Sequence, residues 1–385
     1  MTLLDGPNSR TSAPDPQRRR SRSRGRLTGW DPVLTGAALV LSLIGSLFVA
    51  SAGGAGLGRR QVLSLLAALV VCYLVSRVEP RSLRAWAPAL YLASLGFVLL
   101  AFSPLGVEIA GARAWVALPL GFTLQPSEFA KLGLVLALAV TLAGGRDSAA
   151  PDNRSVVQAL ALAAAPIALV LIGNDTGSAL VITAIVAAVL LVAGVSWRWL
   201  TGLAAAGAAV AVVAVTTGLL ADYQMKRLLA FLDPEADPTG FGLNALQSRV
   251  AIGSGGLTGQ GLFAGPQTQG DFVPVSDSDF ILSVVGEEAG LLGILLVIGL
   301  LAVVLWRGWL IALTARDGFN RLVAVGVVAW FGFQAFENIG MALGIAPVTG
   351  VTLPFVSYGG SSMIAAWIGI GLLQLVRRAS SPQRV

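Results

Sequence analysis

Long apolar runs recur along this chain, separated by short segments that hold most of its charged residues. A membrane-spanning helix needs about 20 mainly apolar residues. By that criterion the sequence predicts ten spans, at 33–52, 61–78, 85–104, 125–144, 156–173, 178–196, 199–219, 280–306, 322–345 and 355–376. Pro347, Gly350 and Pro354 separate the last two, because proline and glycine interrupt a continuous helix. We therefore predict an all-α fold, a polytopic integral membrane protein with about ten transmembrane helices.

The composition supports a membrane protein and restricts its chemistry. Of the 385 residues, 55% are hydrophobic and 12% are charged, whereas about 25% are charged in soluble domains. The single cysteine, Cys72, lies in an apolar run, so no disulfide framework is possible. The chain has no histidine, which removes the usual near-neutral general base. Any proton chemistry must therefore use carboxylates or lysines.

The arginines predict the orientation, because positively charged loops favour the cytoplasmic side. Ten spans place both termini on one side, and most arginines, including the cluster between Arg18 and Arg26, fall there. We interpret residues 1–28 as a disordered basic cytoplasmic tail near anionic lipid. Nucleic-acid binding is the alternative, but the tail lacks interleaved aromatic residues. Residues 29–385 are the predicted membrane domain.

The longest connection, about residues 220–278, lies between the seventh and eighth spans and falls on the outer side. It contains many charged residues and the glycine-rich run 253–261. A long structured loop is usually functional. We therefore predict a large extracytoplasmic loop that contributes to a site.

Several charged residues near the membrane require a partner or a role. Glu128 and Lys131 are three residues apart, so on a helix they share one face and can pair. The pair either joins two helices or forms a cavity wall in which Lys131 contacts an anion. Arg60 and Arg113 lie on the predicted outer side. They either extend to lipid headgroups or bind a phosphate.

Two aspartates at outer helix boundaries are candidates for chemistry. Asp175 and Asp279 could each cap a helix. For Asp279 we favour a functional role, because Asp277 crowds the same membrane boundary and partial desolvation raises the pKa of a carboxyl group. Without histidine, Asp279 is the predicted general base. The irregular segment from Pro347 to Ser362 must be buried in protein or line a cavity, and we predict that it forms a wall of the site.

Five blocks of sequence match, in order, the motifs of a known family. They are 111–115, Gln125-Pro126-Ser127-Glu128 with Lys131, 251–261, Asp279-Phe280 with Gly286-Glu287-Glu288, and Asn338-Ile339-Gly340-Met341 through 347–362. Together they resemble the SEDS family (shape, elongation, division and sporulation), which includes RodA and FtsW. The resemblance covers about residues 30–378.

The resemblance implies a fold and an activity. The family has ten membrane helices with a large outer loop between the seventh and eighth. It polymerises lipid II into β-1,4-linked glycan strands at the outer face of the bacterial cytoplasmic membrane, together with a class B penicillin-binding protein. Asp279 matches the family's essential aspartate. The predicted substrate-binding residues are Arg60, Arg113, Glu128, Lys131, Asp175, Gln247, Ser248 and Ser357.

The chain departs from the family pattern near Asp279. Val275, Asp277 and Ser278 stand where the family often has glutamate, histidine and threonine. The chain therefore lacks the auxiliary glutamate and histidine of the family pattern. The segment 265–269 and the Asn-Ile-Gly-Met block resemble RodA more than FtsW, which implies a role in cell-wall elongation and cell shape.

The predicted mechanism is an inverting glycosyl transfer from a polyprenyl-pyrophosphate donor. Asp279 removes the proton from the acceptor 4-hydroxyl while that oxygen attacks the donor's anomeric carbon. Arg60, Arg113 and Lys131 are expected to stabilise the departing pyrophosphate. No cofactor is certain, and a divalent cation (Mg²⁺ or Mn²⁺) could assist. The alternatives are a lipid II flippase, a passive scaffold for a partner synthase, and an FtsW-like division or sporulation polymerase.

Overall fold

The computed structural model consists of long helices and one small sheet. It describes residues 29–109, 111–118, 122–143, 150–218, 222–233, 240–270 and 272–380. The predicted basic tail, residues 1–28, lies outside the described residues.

The strands lie together between the second and third helices of the chain. The helices are α1 (Pro32–Arg77), α2 (Pro80–Leu100), α3 (Pro126–Leu142), α4 (Asn153–Ile172), α5 (Thr176–Val192), α6 (Trp197–Thr216), α7 (Asp222–Leu232), α8 (Phe241–Ser254), α9 (Pro266–Gln269), α10 (Ile281–Leu313), α11 (Gly318–Leu343) and α12 (Gly360–Ser380). The strands are β1 (Gly106–Ile109), β2 (Ala112–Leu118) and β3 (Phe122–Leu124).

Seven of the described helices are long and apolar enough to cross a membrane, namely α1, α2, α4, α6, α10, α11 and α12. Helix α1 has 46 residues and is interrupted at Gly54, whose φ of 78° is not helical, so it covers the first two predicted spans. Helices α3 and α5 lie at two further predicted spans. Helices α3 and α5 have 17 residues each, which is the lower end of the range that spans a bilayer. The prediction of a polytopic all-α membrane protein is confirmed.

Some predicted boundaries are wrong by about a helical turn, for identifiable reasons. Helix α2 begins at Pro80 instead of 85, because proline is favoured in the first turn, where its missing N–H costs nothing. Helix α12 begins at Gly360 instead of 355, because residues 347–359 are irregular. The antiparallel sheet β1-β2-β3 was not predicted.

The long connection between α6 and α10 contains α7, α8 and α9. Its glycine-rich run packs against α10 where that helix is interrupted at Gly290, with a φ of 67°. The backbone N–H of Leu291 donates to the carbonyl of Gly256 at 2.9 Å, and that of Gln260 donates to the carbonyl of Glu287, also at 2.9 Å. A Cβ at Gly259 would lie 2.1 Å from the Glu288 carbonyl oxygen. The close approach of two backbones therefore explains the glycines.

The centre of the bundle supports the irregular segment 347–359. Helix α11 packs against α3, α5 and α10, and α12 packs along α1. The ring of Phe355 lies 5.1 Å from that of Phe331 and 6.2 Å from that of Trp367, each in an edge-on arrangement. A Cβ at Gly45 would lie 2.4 Å from the Val356 carbonyl oxygen. Tight packing thus fixes a segment that has no regular hydrogen bonding of its own.

Candidate functional site

The backbone around Asp279 is held by side chains from two other elements. Asn338 of α11 donates from Nδ2 to the carbonyl of Asp279 at 2.8 Å and to the carbonyl of Val351 at 2.7 Å. The Ser357 hydroxyl donates to the Ser278 carbonyl at 2.6 Å. Both donors are buried. Asp279 is therefore fixed relative to α11 and the irregular segment.

The Asp279 side chain does not cap α10. The N-cap of α10 is Phe280, which makes no side-chain cap bond, so the alternative interpretation of Asp279 as a helix cap is wrong. Its carboxylate lies over Gly350, where an added Cβ would be 3.4 Å from Oδ2. Gly350 has a φ of 76°, which a glycine adopts without strain. The carboxylate accepts a hydrogen bond from the Ser278 hydroxyl at 3.2 Å.

The surroundings raise the pKa of Asp279 to about 6, chiefly because burial disfavours its charged form. The hydrogen bond from Ser278 and the charge of Arg227 lower the pKa, and the charges of Asp277 and Asp175 raise it. Burial also raises the pKa of Asp277. A carboxylate with a pKa near 6 is mostly ionised at neutral pH and remains basic enough to accept a proton.

Arg227 brings the long connection between α6 and α10 to the site. It lies on α7 and donates from Nη1 to the Thr349 carbonyl at 3.1 Å. Its guanidinium also lies 4.8 Å from the centre of the Phe241 ring. These contacts place a positive charge close to Asp279. Sequence reasoning counted Arg227 only as one of the charges of the loop, because no local motif links α7 to α10.

Glu128 and Lys131 pair as predicted. Lys131 Nζ lies 2.8 Å from Glu128 Oε1, and both side chains are buried. Lys131 also donates to Gln334 Oε1 at 2.7 Å and lies 5.0 Å from the centre of the Trp330 ring. Gln334 in turn donates to the Thr352 carbonyl at 2.9 Å. The pair therefore joins α3 to α11 and to the irregular segment.

Asp175 is the N-cap of α5 and also a junction between helices. One oxygen accepts from the Ser178 backbone N–H at 3.0 Å. The other accepts from Gln125 Nε2 at 2.9 Å and from the Ser127 hydroxyl at 3.2 Å. The cap interpretation is correct, and the same carboxylate influences Asp279 electrostatically.

Known proteins share this arrangement of sequence blocks. The model of the family described as "Cell cycle protein", which covers FtsW, RodA and SpoVE, matches residues 33–381. The chain belongs to this family. It is 36% identical over 348 residues to the "Peptidoglycan glycosyltransferase MrdB" of Escherichia coli strain K12, covering 90% of this chain and 93% of that one. A "Probable peptidoglycan glycosyltransferase FtsW" of Geobacter metallireducens is 36% identical over 322 residues, covering 82% and 83%.

Solved structures agree with this assignment. The fold matches a chain from "Structural coordination of polymerization and crosslinking by a peptidoglycan synthase complex" with a TM-score of 0.78 and 34% identity, covering 92% of this chain and 99% of that one. It matches the rod shape determining protein RodA of Thermus thermophilus with a TM-score of 0.68 and 32% identity, covering 92% and 98%. The predicted membership of the FtsW/RodA/SpoVE family, with the closer resemblance to RodA, is confirmed.

The remaining predicted site residues of this family member lie in different surroundings. Arg60 and Arg113 are exposed, and Arg113 reaches carbonyls of the turn after α2 at 3.3 and 3.4 Å. Ser248 is buried and donates to the Ala342 carbonyl at 2.8 Å, whereas Gln247 is half-buried. The Ser357 hydroxyl is committed to the backbone, as described above. The substrate-binding roles of all these residues stay predictions.

Sequence reasoning missed a polar face of α11. Gln334, Glu337 and Asn338 are all buried and lie three and four residues apart, so they share one side of the helix. Polar residues at this spacing within a predicted span were the available signal. Only Asn338 belongs to a matched sequence block, so the other two were not selected.

The site does not contain an all-protein metal centre in the part of the chain that the structure describes. No group of three or more histidine, cysteine, aspartate or glutamate residues there could hold a metal ion. Magnesium is often bound by only one or two carboxylates together with phosphate oxygens of a substrate. We therefore derive no step through a metal ion.

Proposed function

We propose that this chain is a peptidoglycan glycosyltransferase that polymerises lipid II into glycan strands for cell-wall elongation and cell shape. The observation that carries the proposal is the Asp279 carboxylate, which lies over Gly350 instead of capping α10 and has a pKa raised to about 6. The likeness to MrdB and to RodA supports the substrate class.

In the proposed reaction, Asp279 accepts the proton of the acceptor sugar's 4-hydroxyl. The oxygen then forms a bond to the anomeric carbon of the donor, and the bond from that carbon to the polyprenyl pyrophosphate breaks. Attack from the face opposite the leaving group inverts the anomeric configuration. The protein contributes a positioned base, which is typically worth about 10²–10⁴-fold in rate, and it holds two large substrates in line.

Cations near the outer end of the bundle would receive the departing pyrophosphate. Arg60 and Arg113 have exposed guanidinium groups, which suit phosphate oxygens. Lys131 is buried between Glu128 and Gln334, so we propose that it contributes its field through that network and does not contact phosphate directly.

The other predicted residues divide into one that contacts the substrate and three that position the site. Gln247 is half-buried and keeps its proposed role as a direct substrate contact. Asp175, Ser248 and Ser357 are bonded to protein groups. We therefore propose that these three position the site, and do not contact the substrate.

An apolar cavity between the helices would accept the polyprenyl chain. It has a volume of about 430 Å³ and is lined by residues of α1, α2, α3 and α12, including Phe97, Phe129 and Ile368. Phe129 follows Glu128 directly, so the cavity adjoins the polar network. A lipid chain could enter it sideways from the bilayer, since hydrocarbon is the medium outside.

The cellular arrangement follows from the arginine distribution. We propose that both termini are cytoplasmic and that Asp279 lies at the outer face of the bacterial cytoplasmic membrane. We also propose a class B penicillin-binding protein as partner, supported by the structural likeness to a chain of a peptidoglycan synthase complex.

Purified protein in detergent with lipid II tests the proposed activity. A polymerase makes glycan in detergent, whereas a flippase needs a sealed bilayer. Asp279→Asn should reduce glycan formation by about 10²–10⁴-fold, with and without the partner. Asp152→Asn is the matched control, because Asp152 is an exposed cap at the opposite end of α4 from the site. Full polymerisation by Asp279→Asn would remove this residue from the mechanism.

A further inference from the structure

Glu337 of α11 is a buried acid without a function in the mechanism above. It is 4% exposed. Among the residues that the structure describes, neither of its carboxylate oxygens has a hydrogen-bond partner. The hydroxyl of Thr349 lies beside the carboxylate, and this hydroxyl oxygen has no well-aligned partner within the same described set. Three polar atoms are therefore unsatisfied at one place.

Glu337 differs from the other buried polar residues of α11, because both of its carboxylate oxygens lack a partner among the described residues, whereas Asn320 and Asn338 lack one only at Oδ1. Its neighbours Gln334 and Asn338 each donate two hydrogen bonds to the irregular segment or to Asp279. Leaving a buried polar group unsatisfied costs about 1–3 kcal/mol, and more for a charged group. Native proteins satisfy most such groups. A buried acid beside a single hydroxyl, with no well-formed hydrogen bond among the described residues, is thus an indication of a missing ligand group.

Lys131 does not explain the buried acid. Its charge is felt at Glu337, but its ammonium makes close contacts with Glu128 at 2.8 Å and with Gln334 at 2.7 Å. Lys131 is therefore already neutralised by one carboxylate. The Glu337 carboxylate is attracted by Lys131 but keeps most of its hydrogen-bonding capacity for another group.

Glu337 belongs to the same site as Asp279. Thr349, beside Glu337, directly precedes Gly350, over which the Asp279 carboxylate lies. Asn338, the next residue of α11, holds the carbonyl of Asp279. Asp175 acts electrostatically on both Glu337 and Asp279. The two acids therefore border one polar region.

The chemistry of this region favours one part of the substrate over another. Asp175, Asp279 and Glu337 outnumber the two cations that act on them, Arg227 and Lys131, and Lys131 is already paired with Glu128. The region is therefore acidic on balance. A pyrophosphate offers only negatively charged acceptors, so like charges would repel it. An N-acetylated sugar offers hydroxyl and amide N–H donors, which a carboxylate accepts strongly. The region therefore suits the sugar and disfavours the phosphates.

We propose that Glu337, together with Thr349, binds a hydrogen-bond donor of the amino sugar, either a hydroxyl or an acetamido N–H. This contact would turn the pyrophosphate away from the acidic side and towards the exposed arginines. The inference rests on the proposed function, because it assigns a part of the lipid-linked glycan to a part of that site. It makes Glu337 a binding and specificity residue, distinct from the base.

Steady-state polymerisation of lipid II in detergent tests the assignment. Glu337→Leu removes both acceptors with little change in volume, and Glu337→Gln keeps one acceptor. We expect Glu337→Leu to raise KM about tenfold or more, since a hydrogen bond to a charged group is lost, with a smaller fall in kcat. Glu337→Gln should lie between Glu337→Leu and the unmodified protein. Glu79→Gln, an exposed glutamate before α2, is the control that should change neither constant.

Substrate analogues make the test independent of folding. Lipid II analogues that lack one sugar hydroxyl, or whose acetamido N–H is replaced by oxygen, are compared on each variant. At least one analogue should be disfavoured by the unmodified protein and not by Glu337→Leu. Thermal unfolding in detergent shows whether each variant is folded.

The outcomes separate the two proposals. If the unmodified protein makes no glycan, the proposed function fails. If it makes glycan but Glu337→Leu keeps its KM, the assignment is overturned and Glu337 is only a second counter-charge for Lys131. If Glu337→Leu does not fold, Glu337→Gln and the analogue series on the unmodified protein decide. Equal use of all analogues then overturns the assignment.

Discussion

Two aspartates at opposite ends of the bundle, one buried and one half-buried, differ in how many hydrogen-bond donors they receive. Asp31, at the start of α1, is 2% exposed. Its carboxylate accepts from the backbone N–H groups of Val33 and Leu34 at 3.1 and 3.0 Å. It also accepts from the Arg307 guanidinium, with Nε at 2.9 Å. Asp279, at the start of α10, accepts only one hydrogen bond, from the Ser278 hydroxyl, among the contacts that the described residues show.

The difference in partners separates a structural acid from a reactive one. Gln374 of α12 closes the Asp31 end by binding both the N–H and the carbonyl of that residue. A carboxylate whose lone pairs are filled by protein donors has little capacity left for a substrate. A carboxylate that is half-buried with few donors still has lone pairs that a substrate hydroxyl can use. The residue type is the same, and the supply of donors decides its role.

Asp279→Asn should give the largest functional effect. We expect polymerisation of lipid II to fall by about 10²–10⁴-fold, because an amide cannot accept the acceptor's proton. The midpoint of thermal unfolding should stay the same or rise, since the amide carries no charge to desolvate. Glycan length and yield in detergent, with unfolding followed on the same sample, measure both. A collapse of stability with the loss of activity would make Asp279 structural, like Asp31.

The pH dependence should show the raised pKa of the base. Burial raises the pKa of Asp279 to about 6 from the ordinary value of 3.8, and only the deprotonated form accepts a proton. The kcat/KM should therefore fall about tenfold for each pH unit below about 6 and level off above it. The residual activity of Asp279→Asn should not show this fall at low pH. If kcat/KM instead began to fall only near pH 4, the carboxylate would be well solvated when it reacts.

Asp31→Ala should show the opposite pattern. It leaves the first N–H groups of α1 without their cap and Arg307 without its partner, so unfolding should become easier by about 1–3 kcal/mol. At temperatures where the variant stays folded, kcat and KM should change little. Thermal unfolding in detergent and the lipid II assay on one preparation provide the comparison. Loss of activity in a stably folded Asp31→Ala protein would contradict a purely structural role.

Much of the fold, and the choice of Asp279 as the reactive acid, could be predicted from the sequence alone. Apolar runs predicted the spans, and the charged residues that interrupt them indicated Asp279 and the Glu128–Lys131 pair. These features are local, and periodicity or a spacing of three residues is enough to find them. The predicted break between the first two spans, at 53–60, contains Gly54, where α1 is interrupted.

The rest depends on contacts between segments that are far apart in the chain. Arg227 reaches the site only because α7 docks near Thr349, 122 residues away. Glu337 is revealed by its lack of well-formed hydrogen bonds among the described residues, which a sequence pattern does not record. Ser357 was predicted to bind substrate on the strength of its motif, yet its hydroxyl binds the Ser278 carbonyl.

Arg227→Gln should give the smallest effect and the finest test of the comparison. The charge of Arg227 lowers the pKa of Asp279. Removing this charge should therefore make kcat/KM begin to fall at a higher pH than in the unmodified protein. Activity should fall a few-fold near pH 6 and little at pH 8, where the carboxylate is ionised in either protein. The direction follows because a nearby cation stabilises the charged form of an acid.

Arg227→Lys separates charge from geometry in the same experiment. Lysine keeps the positive charge but lacks the planar fork that binds the Thr349 carbonyl and lies over Phe241. If charge is the cause, Arg227→Lys should bring the pH at which kcat/KM begins to fall back towards that of the unmodified protein. An equal loss at pH 6 and pH 8 in both variants would mean that Arg227 holds the irregular segment in place. In that case Arg227 would resemble Arg307, which serves packing and not the chemistry of its acid.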